Sequence, residues 1–253
     1  MIPHAAKILI LLLVFGLGTL GGVWAQAFLM PFLASQSASA DIKFVKEWSE
    51  RTTVIKEVDE IFINRDEAVE RAVDRVQNVV VGVQSTGLPA GEAGRKGVVG
   101  GSGFIVASDG LILTRASVVP QGYEPLVYMV EGKEPVEAEV IKRDVKEDLA
   151  LLKIGADNLQ TAGFVNEERI RLGATVIVVA NIVEDGELIS IANEGTVRTI
   201  GESVLRTNIF DKAALRGAPL VNLEGDIVGV ITVLEDRRVV ATPSSTLRDF
   251  AGL

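Results

Sequence analysis

The sequence predicts an all-β body, and three features indicate it. Glycine is frequent, with 25 residues, while aromatic side chains make up only 5% of the chain. Short runs rich in valine and isoleucine recur through the second half, and turn residues separate them. Many short strands at close spacing, with little helix between them, are typical of a sandwich or a pair of barrels.

One short amphipathic helix is predicted before these strands. Residues 64–67 (NRDE) resemble a helix cap, and apolar residues recur at helical spacing over 66–77. The first strand is expected at 79–84 (VVVGVQ), and the two apolar runs of 101–114 joined by Ser-Asp-Gly predict a hairpin. Further strand candidates follow in order: PLVYMVE, EAEVIKR, LALLKI, TVIVVAN, ELISIANEGTVRTIG, SVLRTN, PLVN, DIVGVITVLE and RVVATP.

Composition excludes several classes of function. The chain has no cysteine, so neither disulfides nor thiol catalysis are available. Its single histidine, His4, precedes a long apolar stretch, so we expect no histidine-based metal site and no cofactor. Residues 41–253 carry 24 basic and 34 acidic side chains, a net charge of −10. So acidic a body is a poor partner for nucleic acid.

The N-terminal region predicts a membrane anchor. No charged residue lies between Lys7 and Asp41, and residues 8–33 are apolar over the roughly 20 residues that span a bilayer. Lys7 on the leading flank puts the N-terminus in the cytoplasm and the body outside. The small-x-small pattern at 25–27 offers the alternative of a cleaved, secreted protein. The apolar sequence after it favours an uncleaved anchor.

Several stretches, in chain order, resemble the HtrA/Do-type branch of the trypsin-like serine proteases. Residues 101–119 (GSGFIVASDGLILTRASVV) resemble that family's hairpin and histidine segment, and 143–154 (RDVKEDLALLKI) its aspartate segment. Residues 213–230 (AALRGAPLVNLEGDIVGV) resemble its nucleophile segment, usually Gly-Asn-Ser-Gly-Gly-Pro-Leu, and 240–246 (VATPSST) its closing strand and turn. The resemblance implies a trypsin-like double β-barrel: two six-stranded antiparallel barrels with the active site at their junction.

The resemblance also implies a domain organisation. We expect a cytoplasmic tip, transmembrane anchor and linker over 1–40, a connecting segment with the short helix over 41–77, and the double barrel over 78–253. The first barrel is predicted over about 78–156 and the second over about 165–250. No segment remains after Leu253 for a PDZ domain, so none is expected.

Two of the three triad positions implied by the resemblance have lost their chemistry. The histidine position is Ser117, which cannot act as a general base near neutral pH. The nucleophile position is Arg216, whose guanidinium stays protonated. Only the aspartate is kept, as Asp148. His4 lies on the other side of the predicted membrane and cannot replace the missing base.

The turn that would hold the oxyanion is altered as well. Ala214 stands where the family has glycine, Leu215 follows it, Gly217 is kept, and Ala218 replaces the second glycine. Glycines in such turns often hold conformations that cost a residue with a Cβ about 1 kcal/mol or more. We therefore expect the backbone hole to be closed or reshaped.

Arg216 invites a structural hypothesis. Because serine is smaller than histidine, Arg216 could reach Asp148 and form an ion pair with it, the alternative being a side chain that points into solvent. A guanidinium well beyond ~4 Å from the carboxylate would contradict the pair. Asp211 and Lys212 are expected at the rim of the family's substrate pocket, where they either select peptides or are merely solvated.

These observations predict a membrane-anchored, extracytoplasmic pseudoprotease that is not an enzyme and acts as a binding, scaffold or regulatory protein. Expected partners are the membrane, through residues 8–33, and peptides or proteins, including active family members or a self-trimer. One alternative is an HtrA/Do-type serine endopeptidase with a non-standard site, such as a Ser-Lys pair using Ser102, Ser117 or Ser244. Another is a structural envelope protein.

Overall fold

The computed structural model describes residues 13–19, 21–22, 24–25, 28, 65–88, 96–132, 134–166 and 170–253. The predicted linker, the charged segment after it and most of the predicted anchor lie outside the described residues. Residues 1–62 and 63–253 form two separate units. No helix within the described ranges has the length and apolar character needed to cross a membrane.

The first barrel is a closed antiparallel sheet in which the strands follow the order β1-β2-β3-β6-β5-β4. Its strands are β1 Val80–Gly87, β2 Gly97–Ala107, β3 Leu111–Thr114, β4 Tyr123–Tyr128, β5 Val136–Asp144 and β6 Leu149–Ile154. Phe104, Ile112 and Leu152 are fully buried in its core. Burying such side chains stabilises the fold by about 1.5–3 kcal/mol each, before entropy is counted.

The second barrel is closed in the same way, with the order β10-β11-β12-β9-β8-β7. Its strands are β7 Thr175–Glu184, β8 Glu187–Ile200, β9 Leu205–Phe210, β10 Pro219–Val221, β11 Ile227–Val233 and β12 Arg238–Pro243. Along β9 buried and exposed residues alternate strictly, which is the period of a strand with one face in the core. Across the described residues, the predicted pair of six-stranded barrels is confirmed.

Two helices flank the barrels. Helix α1, Arg65–Val76, lies where the sequence predicted it and packs Ala72 and Val76 against the first core. Helix α2, Ser244–Ala251, was not predicted. It follows Pro243 and ends at Gly252, whose φ of 75° is left-handed and whose N–H donates to Arg248 O at 2.8 Å. Proline before a helix and glycine after it are ordinary boundary signals.

A buried polar cluster joins the two barrels through Asn181 of β7. The Asn181 side-chain amide donates to Val80 O at 2.6 Å and accepts from Ser190 Oγ at 2.7 Å. Its backbone exchanges two hydrogen bonds with Ser102 Oγ, at 3.0 and 2.6 Å. Asn181 is only 1% exposed, and Val80 and Ser102 are fully buried, so these groups find their hydrogen-bond partners inside the protein. The cluster therefore sets where β7 lies against β1 and β2.

Replacing Asn181 with leucine should lower the free energy of unfolding by about 1–3 kcal/mol, because the buried Val80 O loses its side-chain donor. Urea unfolding followed by circular dichroism measures the change. The control Gln77→Leu removes an exposed amide at the end of α1 and should change the free energy by less than about 0.5 kcal/mol. Equal losses in the two variants would contradict the role given to Asn181.

Candidate functional site

The positions that match the family's histidine and aspartate lie together beside the first barrel. Ser117 follows β3, Asp148 precedes β6, and these two strands are paired. The Ser117 backbone N–H donates to Asp148 Oδ1 at 2.7 Å, and Ser117 Oγ donates to Asp148 Oδ2 at 3.2 Å. Both carboxylate oxygens are thus turned toward the residue that replaces the base.

Asp148 also has an uncommon backbone conformation. Its φ is 51°, in the left-handed region where residues other than glycine are rare and aspartate is among the better tolerated. Its carbonyl oxygen accepts from the Ala116 N–H at 3.2 Å. Main chain and side chain of Asp148 therefore both hold the segment 116–117, which gives this residue a structural role that does not need catalysis.

Arg216 ends a short 3-10 helix, Ala213–Leu215, and folds back on it. The Arg216 N–H donates to Ala213 O at 3.2 Å, and the side-chain Nε donates to the same oxygen at 2.9 Å. The Arg216 carbonyl oxygen accepts from the Ser102 N–H at 2.8 Å. The residue at the nucleophile position is therefore tied to its own turn and to β2.

An oxyanion hole requires backbone N–H groups that are free to meet a substrate oxygen. Here the N–H of Arg216 is bonded to Ala213 O, as described above. The N–H of Gly217 donates to Ile231 O at 3.1 Å, and that of Ala218 donates to Leu215 O at 3.1 Å. All three amides therefore already have a carbonyl partner, two of them within the turn and one on β11.

Gly217 is the one position in this turn that requires glycine. Its φ is 84°, and a Cβ built on it would meet the carbonyl oxygen of Ser102 and Thr114 Oγ1. Ala218 has no positive φ and lies fully buried in the core of the second barrel, as does Leu215. The positive φ and the close backbone contact explain why residue 217 is glycine, and the absence of a positive φ explains why residue 218 can be alanine.

The predicted ion pair between Arg216 and Asp148 is wrong. Within the 4.0 Å limit, the ion pairs that join described residues are four, and none includes either side chain. Asp148 uses its oxygens on Ser117, and Arg216 uses Nε on Ala213 O. The Arg216 side chain is partly exposed. Each side chain therefore makes hydrogen bonds with nearby residues instead of with the other.

The two residues expected at the pocket rim have partners on the second barrel. Lys212 Nζ pairs with Glu184 Oε1 at 2.6 Å, and both side chains are about half exposed. Asp211 Oδ2 accepts from Asn193 Nδ2 at 2.8 Å. Exposed pairs of this kind contribute at most about 1 kcal/mol. Their role in peptide selection stays a prediction.

Sequence reasoning overlooked Arg115, which lies two residues before Ser117. Its side chain is 4% exposed and reaches across to carbonyl oxygens of β11. Nε donates to Ile231 O at 3.1 Å and Nη2 donates to Val230 O at 2.7 Å. Nη1 makes a longer contact with Glu147 O, at 3.4 Å. A guanidinium from the first barrel is therefore anchored on the backbone of the second.

The charge of Arg115 also interacts with that of Asp148. Burial lowers the pKa of Arg115 to about 10, while the negative charge of Asp148 acts in the opposite direction. The side chain is still a cation at neutral pH. The sequence hypothesis considered Arg216 as the cation near Asp148 and did not consider Arg115. The signal was available, because a charged residue directly after a buried strand usually has a partner.

Replacing Arg115 with lysine should lower the free energy of unfolding by about 1–3 kcal/mol, because a single ammonium group cannot reach both Ile231 O and Val230 O. Chemical denaturation followed by circular dichroism measures it. The control Arg171→Lys changes an exposed arginine and should leave the free energy within about 0.5 kcal/mol of the parent. If Arg115→Lys behaves like this control, the contacts with β11 do not stabilise the junction.

Comparison with known proteins places this geometry in a family. The model of the trypsin-like peptidase domain matches residues 101–230, just over half of the chain. The probable periplasmic serine endoprotease DegP-like of Halomonas elongata is 35% identical over 136 residues, covering 51% of this chain and 28% of that protein. Serine protease HTRA1 of Xenopus laevis is 34% identical over 162 residues, covering 59% of this chain and 35% of that protein.

The chain spans only about a third of the length of these relatives. A solved serine endoprotease from Yersinia pestis superposes with a TM-score of 0.62 at 24% identity, covering 73% of this chain and 65% of that one, and supports the fold. The range matched by the family model contains the segments of Ser117, Asp148 and Arg216. The chain belongs to the trypsin-like peptidase family and is of the HtrA/DegP type.

Proposed function

We propose that this protein is a proteolytically inactive member of the family and acts by binding, as a scaffold or a regulator. One observation carries the proposal: the nucleophile position is an arginine, Arg216, whose own N–H and Nε are both bonded to Ala213 O. A guanidinium that stays protonated forms no acyl intermediate. The chain therefore lacks the group that would attack a peptide bond at this site.

The base position supports the same proposal. Ser117 Oγ donates to Asp148 Oδ2 at 3.2 Å, so the position of the base holds a hydroxyl group where the family has an imidazole. A serine hydroxyl is too weak a base to take a proton near neutral pH. With the Arg216 amide also bonded inside its turn, base, nucleophile and one oxyanion donor are each unsuited to acyl transfer.

The alternative is a serine endopeptidase with a Ser-Lys pair, and the names of the relatives favour an active protease. The contacts of the candidate serines argue against it. Ser102 Oγ is buried and donates to Asn181 O, and Ser244 Oγ is buried and directed at Val165 O. The lysine contacts resolved in the described part are made with Asp109, Glu184 and Phe250 rather than with these serines.

We further propose that the double barrel lies outside the cytoplasm and that residues 8–33 anchor it. The support is the apolar, uncharged stretch after Lys7, together with relatives that are named as periplasmic. Peptides or proteins would be its partners there, with active family members or further copies of itself as the first candidates. An exported scaffold of this kind needs no cofactor.

Inactivity can be tested on the full chain with a fluorophosphonate probe and with casein, using trypsin as the positive control. We expect no labelling and no cleavage. The double variant S117H/R216S restores the residue types of the triad, and we expect it to label far more weakly than trypsin because the N–H of residue 216 is held by Ala213 O. Labelling of the unmodified chain would overturn the proposal.

Anchoring can be tested by alkaline carbonate extraction of membranes from cells that express the full chain. We expect the chain to stay in the membrane pellet, and an external protease to degrade the barrels once the outer barriers are opened. Inserting two lysines near the middle of residues 8–33 should release it, since a charge at that depth costs about 2.5–3.5 kcal/mol. Release of the unmodified chain into the supernatant would contradict an anchor.

A further inference from the structure

A cleft of about 330 Å³ opens on the second barrel, between β8, β9 and β12. We call it the arginine cleft, and the residues that matter in it are Arg198, Arg206, Asn208, Phe210, Arg238 and Val240. Its lining includes no acidic residue and none of the residues discussed at the triad positions or in the altered turn. It is therefore a separate surface from the former active site.

Irregular strand pairing creates this cleft. On one side of β9, Phe210 pairs with Arg238 and Arg206 pairs with Val240, so β9 uses more residues than β12 over the same span. On the other side, the register between β8 and β9 shifts at Arg198. Bulges of this kind bend the strands and change the direction of side chains. Here they leave a depression in the outer face of the sheet.

The charges in the cleft are only partly balanced. Arg238 is paired with Asp236, its Nε lying 2.6 Å from Asp236 Oδ2. Arg198 and Arg206 are exposed and make no hydrogen bond or ion pair with the rest of the described chain. Two unpaired guanidinium groups on a body with a net charge of −10 form a local positive site. Guanidinium groups bind carboxylates well, often through two hydrogen bonds.

An apolar surface adjoins these two cations. Phe210 is 57% exposed although it is an aromatic residue on a regular strand, and it lies beside Arg238 of β12. Val240, partly buried, lies on the other side of the bulge next to Arg206. An inorganic anion would use the arginines and leave this surface in water. A peptide that carries both carboxylates and an apolar side chain would use all of it.

We propose that the arginine cleft binds an acidic peptide segment of a partner protein, with carboxylates on Arg198 and Arg206 and an apolar side chain against Phe210. The volume is at the lower end of what ligand sites enclose, which suits a few side chains rather than a folded domain. This proposal deepens the binding function proposed above and rests on it. It also names a surface that stays open while the former active site is closed by its own hydrogen bonds.

The test uses the full chain and fluorescence polarisation of a labelled peptide of sequence EELEEF, with KKLKKF as the charge-reversed probe. We expect EELEEF to bind and KKLKKF not to bind. The variant R198E/R206E should weaken binding at least tenfold, because two attractive charges become repulsive. The matched control R71E/R171E makes the same change in net charge at two exposed arginines outside the cleft and should stay within twofold of the parent. Phe210→Ala should weaken binding severalfold.

Thermal melts followed by circular dichroism check that each variant is folded. Equal losses in R198E/R206E and R71E/R171E would overturn the proposal, because they would reflect net charge alone. An unchanged affinity of Phe210→Ala for EELEEF would also overturn the proposal, because the apolar surface would then play no part in binding. Displacement of the peptide by inorganic phosphate at the concentration of the peptide would overturn it too, because the site would then bind any anion. Labelling by the fluorophosphonate probe would instead refute inactivity and leave the peptide result standing, so the two failures can be told apart.

Discussion

The hydrogen bonds of the buried Arg115 guanidinium are the interactions on which the geometry of the candidate site depends. It leaves the end of β3 in the first barrel and donates to the carbonyl oxygens of Val230 and Ile231 in the second. The same residue supplies the positive charge near Asp148. Asp148 makes its side-chain hydrogen bonds with Ser117, and Arg216 bonds its own turn. The junction is thus held by a residue that lies outside the three positions matching the triad.

The turn at the nucleophile position keeps the fold of the family while its backbone N–H groups are hydrogen-bonded within the protein. In an active site, backbone N–H groups are left unpaired until a substrate arrives, which costs stability. Here the Arg216 N–H donates to Ala213 O of the 3-10 helix Ala213–Leu215. The N–H groups of Gly217 and Ala218 donate to Ile231 O and Leu215 O. The strand after the turn, β10, is paired with β7 and β11 in the closed second barrel.

This division of roles bears on where a binding function would lie. At the triad positions, Ser117, Asp148 and Arg216 make hydrogen bonds within the protein. The arginine cleft has two cations without partners in the described part of the chain and an exposed aromatic ring. Binding at the cleft gains contacts and breaks none. The proposed binding surface is therefore separate from the triad positions within the same double barrel.

The sequence by itself determined the all-β body and the position of α1 through local patterns, and its resemblance to the trypsin-like proteases predicted the double barrel. Residue identity alone places Ser117 and Arg216 at two positions that match the triad. Only the tertiary structure decided that Arg115 is buried on the backbone of β11, where its charge interacts with that of Asp148, and that Arg216 bonds Ala213 O. The reason is that both outcomes depend on the distance between strands that are far apart in the chain, such as β3 and β11. The helix after Pro243 could have been predicted from its boundary residues, Pro243 and Gly252. The arginine cleft could not, because it arises from register shifts between paired strands.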